Sequence, residues 1–299
     1  MSLVFAVLCA LVWGTGDYLG GKASRRAESS VVTLFGQGAG LLAALLVIPI
    51  VGDRVPPPAD WGYGFLAGAF GAVALLCLYR ALATGAMTVV APIAGVTSAI
   101  VPAVWGLAAG DRPSSLALAG LGVAVVSIAL VSWGGARSAN PGEQHTPVSV
   151  RVLALVAGLG FGSLSVALSY TSGEGGLWAV VAMKCVSLPL TAFVVWRTVR
   201  SSTSRSAVGV GVGVGARLPW RLGGAVLVLA LVGGTLDTSG DTLLLFSAKD
   251  GLLSVAGVIA AMYPAATVTL ALLRDRERVS VLQTTGLGLA VAALVLVAV

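Results

Sequence analysis

The chain has 299 residues, of which 57% are hydrophobic and 10% are charged, and its net charge at neutral pH is +6. Soluble domains contain about 25% charged residues, so this composition excludes an ordinary soluble domain. The cations lie between long apolar segments, where they orient membrane helices, and we therefore expect no binding to nucleic acid.

Ten apolar segments of about 20 residues follow one another, each long enough to cross about 30 Å of hydrocarbon as a helix. A β-barrel is excluded, because its strands alternate in polarity and these segments do not. The sequence therefore predicts an all-α integral membrane protein in contact with lipids. The predicted helices cover residues 3–22, 31–51, 62–82, 87–109, 115–134, 152–171, 177–196, 221–247, 252–273 and 279–299.

The chain divides at a polar segment into two five-helix halves. Apolar residues begin at Leu3 without a basic segment before them, which predicts a first membrane helix and no cleavable signal. Residues 135–150 contain two prolines and form the predicted linker between residues 1–134 and 151–299. Residues 197–217 are basic and Ser-rich and then alternate Gly with Val, which predicts a flexible loop.

The distribution of Lys and Arg predicts the orientation of the helices. Fourteen of these residues lie in odd-numbered connections between helices and three lie in even-numbered ones. Because cytoplasmic loops are rich in Lys and Arg, the odd connections are expected in the cytoplasm. Both chain termini are therefore predicted on the extracytoplasmic side of a cell membrane.

An internal repeat relates the two halves at an offset of 166 residues. "LAAGDRPSSLALAGLGVAV" (107–125) and "LRDRERVSVLQTTGLGLAV" (273–291) share an acidic–Arg–x–Ser step and a GLG motif eight residues after the arginine. Five helices per repeat is an odd number, so the second copy enters the membrane from the opposite side. The sequence thus predicts two inverted-topology repeats, an architecture of many secondary transporters.

These features resemble the EamA-type transporters of the drug/metabolite transporter superfamily. The resemblance rests on the two five-helix halves, an early "WG", the acidic–Arg–x–Ser steps and the Gly-rich last helices. "MYPAATVTLALLRDRERVS" (262–280) is similar to the family's proline followed by a loop Glu, whereas the first half has Ser98 and Asp111 at these two positions. The resemblance implies a transporter of small organic solutes, more often for export than for uptake.

Ionisable residues inside the apolar segments are the candidate site, because intramembrane charges normally face the bundle interior or a partner. Counting from helix ends gives two polar layers. Asp17 is expected near the inner side with Gln37 and Arg80 as possible partners, and Lys184 is expected near the outer side with Asp237. Snorkelling of Asp17 or its pairing with Lys22 remains an alternative, as does a purely structural Lys184–Asp237 pair.

Further candidates come from aromatic residues, one more carboxylate and helix breakers. The substrate path is predicted to include the deep Trp13 and Trp105, although ordinary packing explains each ring equally well. Pro92, Pro102 and Pro264 are expected to interrupt helices and free backbone carbonyls along this path. Secondary candidates are Asp241, Tyr18, Tyr79 and Tyr263.

The function predicted from these residues is secondary transport of a small solute, coupled to protons or to an exchanged solute, by a monomer or homodimer. Uptake of a sugar, nucleotide derivative or vitamin is the alternative. A membrane enzyme is disfavoured, because the single histidine, His145, lies in the linker and no acidic cluster flanks a loop. A channel is disfavoured by the lack of a filter motif. No cofactor and no metal are expected, since the three cysteines lie within apolar segments.

Overall fold

The computed structural model describes residues 2–52, 55–110, 114–136, 146–172, 176–207, 222–249, 261–277 and 279–298. These residues form ten α-helices and no strand. The helices are α1 (Ser2–Ser24), α2 (Ser29–Val51), α3 (Pro58–Thr84), α4 (Met87–Ala108), α5 (Ser115–Ala136), α6 (Val148–Ser169), α7 (Leu177–Ala207), α8 (Gly224–Lys249), α9 (Tyr263–Arg274) and α10 (Val281–Ala298).

The predicted helices are found in the predicted order. Six of them, namely α2, α3, α4, α6, α7 and α8, are long and apolar enough in their described parts to cross a membrane. Shorter apolar helical segments lie in α5 and α10. The structure is therefore that of a helical membrane protein, while the crossing by all ten helices stays a prediction.

Two local predictions differ from the structure. α7 continues to Ala207, although a loop was predicted from residue 197. Residues 197–207 contain neither Gly nor Pro, so nothing ends the helix there. Pro264 lies at the first turn of α9, where its missing N–H removes no helical hydrogen bond, so it is not a break within the described helix. The predicted start of this helix and the Gly-Val alternation lie outside the described residues.

Helices from the two halves pack against each other throughout the bundle. α1 packs antiparallel to α8, since Cys9 lies at Gly240 and Gly16 lies at Gly233. α2 packs on α8, α3 packs on α6 and α7, and α4 packs on α6. α1 also contacts α9, and α5 pairs with α10. The halves are therefore interleaved rather than side by side.

Glycines set the closest of these helix contacts. Gly36 of α2 lies directly against Gly234 of α8, with no side chain between the two backbones. A Cβ at Gly234 would overlap the backbone of Gly36, so only glycine permits this approach at that position, whereas a Cβ at Gly36 would make a tight contact of 3.3 Å. α8 therefore contacts α1 and α2 at the same time, and these two contacts position the carboxylates of α8.

The largest apolar core lies at one end of the bundle, near the ends of α1 and α3 and the beginning of α4. Tyr79 and Leu82 of α3 and Met87 and Val90 of α4 are fully or almost fully buried there. Val150 of α6 closes the same cluster from the second half. This end of the bundle is thus filled by side chains of both halves.

Candidate functional site

A buried group of charges joins α7 to α8. The Lys184 ammonium lies 3.5 Å from Oδ2 of Asp237 and 3.6 Å from Oδ2 of Asp241. Asp237 and Asp241 are four residues apart, so they lie one above the other on the same face of α8. The Lys184 side chain is only 3% exposed. The expected contact of Lys184 with Asp237 is present, and Asp241 shares it.

α1 also contributes to this group, through its contact with α8. The indole N–H of Trp13 donates to the backbone carbonyl of Asp237 at 3.0 Å, and the Trp13 side chain also contacts the Asp241 carboxyl. Gly16 lies against the backbone of α8 at Asp237, which allows α1 to approach closely enough for these contacts. Asp17 follows directly on Gly16.

Asp17 is buried, with 6% of its surface exposed, and forms no hydrogen bond or ion pair with any residue that the structure describes. The groups that interact with it electrostatically are the Asp237 carboxyl and the phenols of Tyr79 and Tyr263. Trp13 and Tyr263 meet edge to face, with ring centroids 6.1 Å apart. We call Asp17, Lys184, Asp237 and Asp241 the charged cluster. Its carboxylates outnumber its single ammonium by three to one.

The expected division into two polar layers is not what the structure shows, because the inner partners of Asp17 lie elsewhere. Gln37 accepts a hydrogen bond from Ser187 of α7 at 2.9 Å. The Arg80 side chain is 65% exposed and lies 3.8 Å from Glu28. Its neighbour Tyr79 faces the core, so Arg80, about 100° further around the helix, points outward.

Trp105 was expected deep in the bundle but is 52% exposed. Its indole N–H donates to the Tyr170 hydroxyl at 2.9 Å, and Tyr170 stacks on Tyr63. These rings lie near the ends of their helices, which is the position typical of aromatic belts. Trp105 therefore does not contribute to the charged cluster in this structure.

A second polar group, which we call the ion-pair cluster, lies at the end of α1. Lys22 pairs with Asp275 at 2.6 Å, and Arg25 pairs with Glu277 at 2.9 Å. The hydroxyl of Tyr18 also donates to Asp275 at 3.2 Å. The cluster joins α1 to the connection between α9 and α10, and so bridges the two halves of the chain.

Glu277 also caps the beginning of α4. Its carboxylate accepts the backbone N–H groups of Met87 at 3.2 Å and Thr88 at 3.0 Å, donors that have no partner within the helix. Arg25 donates in addition to the carbonyl of Leu82, in the last turn of α3, and to that of Gly85, which follows the helix. Sequence reasoning used Glu277 as a marker of the repeat and of the family resemblance but gave it no contact, since no local pattern indicates which helix a loop carboxylate reaches.

Among the described residues, no group of three His, Cys, Asp or Glu side chains has the arrangement of a metal site. Cys9, Cys77 and Cys185 are free thiols. The charged cluster itself consists of carboxyl groups and one ammonium, groups that can exchange protons and form ion pairs.

Comparisons with known proteins bear on the family of the first half and on the fold of the chain. Residues 1–133 match the family model described as "EamA-like transporter family". No curated protein is significantly similar to the chain. A solved structure described only as "Crystal structure of protein" shares 16% identity with a TM-score of 0.61, over 99% of this chain and 95% of the other. At this identity the likeness shows a shared fold alone.

Proposed function

From the premise that residues 1–133 belong to the EamA-like transporter family, of the drug/metabolite transporter superfamily, we propose that the chain is a secondary active transporter that exports a small organic solute. Members of this family are transporters rather than enzymes. The observation that carries the proposal is the charged cluster, in which one ammonium lies between Asp237 and Asp241 and a third carboxyl, Asp17, is buried nearby. Ionisable groups inside a membrane protein normally mark the path of a substrate or ion.

Pairwise packing supports two inverted five-helix repeats. In two such repeats α1 is equivalent to α6, α2 to α7, α3 to α8 and α4 to α9. The contact of α1 with α8 is then equivalent to a contact of α6 with α3. The contact of α2 with α8 is equivalent to a contact of α7 with α3. Both exchanged pairs are in contact, as are α1–α9 and its counterpart α6–α4. Helix ends keep the sequence offset too, since Ala108 and Arg274 end α4 and α9, and Ser115 and Val281 begin α5 and α10. Such pseudo-symmetry supplies two states of opposite facing.

The ion-pair cluster is suited to be a gate between these states. It joins α1 to the α9–α10 connection through Lys22–Asp275 and Arg25–Glu277, and it lies beside the largest apolar core. From the Lys and Arg distribution, this end faces the cytoplasm. In this orientation the structure represents a state that is closed on the cytoplasmic side. The charged cluster lies beyond the closure, since Asp17 is about 7 Å further along α1 than Lys22.

Proton coupling is the form of energy input that the charged cluster supports best. Asp17 is buried without a hydrogen bond, and an isolated carboxylate in such surroundings is unfavourable unless a proton or another cation neutralises it. The titratable or charged groups around it are Asp237 and Asp241 of α8, Lys184 of α7, Tyr79 of α3 and Tyr263 of α9. We assign Asp17 as the proton carrier and Asp237 as the next candidate.

The proposal is tested by transport into sealed vesicles that contain the purified protein. Radiolabelled amino acids and cationic drugs are supplied with and without an imposed pH gradient, for the wild type and Asp17→Asn. We expect accumulation when the vesicle interior is acidic, as for proton antiport, and at least about a tenfold loss of it in Asp17→Asn. Accumulation with an acidic exterior instead favours the alternative, uptake by symport.

Asp60→Asn is the matched control. Asp60 is another buried carboxyl, but it accepts hydrogen bonds from the Ser172 backbone N–H at 3.0 Å and hydroxyl at 2.6 Å, away from the charged cluster. An amide retains one acceptor, so gradient-driven transport should persist. Equal losses in Asp17→Asn and Asp60→Asn contradict the role of Asp17, and gradient-independent transport in every variant contradicts proton coupling.

A further inference from the structure

One face of α7 carries two aromatic rings and two arginines in succession. Phe193, Trp196, Arg197 and Arg200 follow the i, i+3, i+4 and i+7 spacing that places side chains on the same side of a helix. All four residues are exposed, Phe193 by 54% and Trp196 by 45%. Together they form a continuous surface toward the end of α7, which we call the arginine–aromatic stripe.

The guanidinium groups of this stripe lie over its rings. The guanidinium carbon of Arg200 is 4.1 Å from the centroid of the Trp196 ring, and that of Arg197 is 5.8 Å from the Phe193 centroid. The two ring centroids are 5.6 Å apart. A guanidinium that packs on a ring keeps its N–H donors for a second partner, and these donors match the oxygens of a phosphate group. The rings therefore position both cations without neutralising them.

No carboxylate in the described part of the chain forms an ion pair with either arginine of the stripe. Arg80, by comparison, lies 3.8 Å from Glu28. The sequence contains no acidic residue between Glu174 and Asp237, so the connection from α7 to α8 contributes only positive charge. The stripe thus presents two positive charges that no described carboxylate balances, and its charge is complementary to an anion.

The arginine–aromatic stripe lies where α7 leaves the apolar part of the membrane. The apolar segment of this helix covers Leu177–Arg200, whereas the helix itself continues to Ala207. Its 31 residues extend over about 46 Å, which exceeds the hydrocarbon thickness of about 30 Å. Exposed rings at such a boundary lie beside lipid, and the arginines that follow them reach the headgroups. A ligand that fits this surface has an apolar part and an anionic part.

We propose that the arginine–aromatic stripe binds an anionic phospholipid, with the phosphate between Arg197 and Arg200 and an acyl chain along Phe193 and Trp196. A soluble polyanion or an acidic protein would use the two charges and leave the rings without a partner, which favours the lipid. If this end of α7 is cytoplasmic, as the Lys and Arg distribution predicts, the site lies in the leaflet that carries the negative surface potential.

This inference does not depend on the proposed function. Arg197 lies about 20 Å along α7 from Lys184, so the lipid site is separate from the charged cluster. Loss of the lipid site leaves the assignment of Asp17 untouched, and a chain that transports nothing can still bind the lipid.

The test is equilibrium binding to the purified full chain in detergent, measured by native mass spectrometry after the lipids that copurify have been removed. The probes are phosphatidylglycerol and phosphatidylcholine with identical acyl chains, together with glycerol 3-phosphate, which carries the phosphate without the chains. The variants are the double substitution Arg197→Gln/Arg200→Gln and the single substitution Trp196→Ala. Thermal unfolding of each variant is recorded in parallel, so that loss of folded protein is distinguished from loss of binding.

Arg80→Gln is the matched control. α3 and α7 run in the same direction, since Gly64 lies against Ala182 and Gly68 lies against Met183, so Arg80 is at the same end of the bundle as the stripe. The Arg80 side chain is exposed too, but it belongs to an ion pair and lies over no ring that the structure describes. The control therefore removes one positive charge from this end without changing the stripe.

We expect the wild type to bind phosphatidylglycerol about tenfold more tightly than phosphatidylcholine, and the double variant to bind both lipids alike. Trp196→Ala should bind phosphatidylglycerol more weakly than the wild type, and Arg80→Gln should retain the full preference. Equal affinity of the wild type for the two lipids overturns the inference, as does an unchanged preference in the double variant or an equal loss in Arg80→Gln.

The remaining outcomes separate a lipid from other ligands. Glycerol 3-phosphate that binds as tightly as phosphatidylglycerol assigns the two arginines to a free anion and overturns the lipid site. If the double variant does not fold, the wild-type comparison of the two lipids and Trp196→Ala decide. Unchanged binding of phosphatidylglycerol in Trp196→Ala then overturns the inference, because the ring would contribute nothing to the site.

Discussion

Individual side chains show what depth along a helix predicts and what it leaves open. Counting residues from helix ends gave the contact between Lys184 and Asp237, because both lie at a similar distance from the predicted outer ends of their helices. The same counting paired Asp17 with Arg80, although Arg80 points away from the core and lies 3.8 Å from Glu28. Depth is one coordinate, and the direction in which a side chain points depends on which helices become neighbours.

Arg80 offers a test of this distinction. The Arg80 side chain is 65% exposed and Glu28 is 36% exposed, so their ion pair at 3.8 Å contributes at most about 1 kcal/mol after solvent screening. We expect Arg80→Gln to leave both the unfolding temperature and the vesicle transport of the wild type nearly unchanged. Transport measured beside Asp17→Asn provides the comparison. A loss as large as that in Asp17→Asn would return Arg80 to the substrate path.

Helices were predictable as elements, because the membrane imposes their length. About 20 apolar residues are needed to cross the hydrocarbon, and the polar segments between them mark the ends. The extension of α7 to Ala207 was not predictable from hydropathy, since residues 197–207 are polar and lie beyond the apolar segment. Helix–helix contacts were not predictable either, because they depend on glycine faces such as Gly36 against Gly234.

The cap that Glu277 supplies to α4 makes a prediction at the scale of an element. Glu277→Ala removes the acceptors of the Met87 and Thr88 N–H groups and the partner of Arg25. Loss of a helix cap costs about 1 kcal/mol, and loss of the Arg25 contact adds to it, so we expect destabilisation of about 1–3 kcal/mol. Thermal unfolding of the purified protein in detergent measures this change.

Glu277→Gln separates the cap from the ion pair. The amide oxygen of glutamine still accepts a backbone N–H of α4, whereas its neutral side chain no longer pairs with Arg25 as a charge. We expect an unfolding temperature between those of the wild type and Glu277→Ala. An unfolding temperature of Glu277→Ala equal to that of the wild type would contradict the cap, and a Glu277→Gln value equal to that of Glu277→Ala would assign the stabilisation to the ion pair alone.

At the scale of the whole molecule, the family resemblance and the inverted relation of the two halves are supported by different kinds of observation. The resemblance to EamA-type transporters, noted from two halves and their loop motifs, is confirmed over residues 1–133 by the family model. The inverted relation of the halves is supported by exchanged helix contacts, but it depends on the membrane, which side-chain packing alone does not specify. An odd number of crossings per repeat has one measurable consequence, which is that corresponding connections of the two repeats lie on opposite sides.

The orientation is therefore the property to measure at this scale. In a background with Cys9, Cys77 and Cys185 replaced, single cysteines are introduced at Pro57, before α3, and at Arg200, near the end of α7; both positions are exposed. A membrane-impermeant maleimide should label Pro57→Cys in intact cells, and it should label Arg200→Cys only after the cells are permeabilised, because Lys and Arg are retained in the cytoplasm.

Arg80→Cys, which precedes the α3–α4 connection, should behave like Arg200→Cys if ten crossings are present. Labelling of Arg200→Cys and Arg80→Cys from opposite sides would mean an odd number of crossings between them, and two repeats of opposite insertion would then not describe this chain.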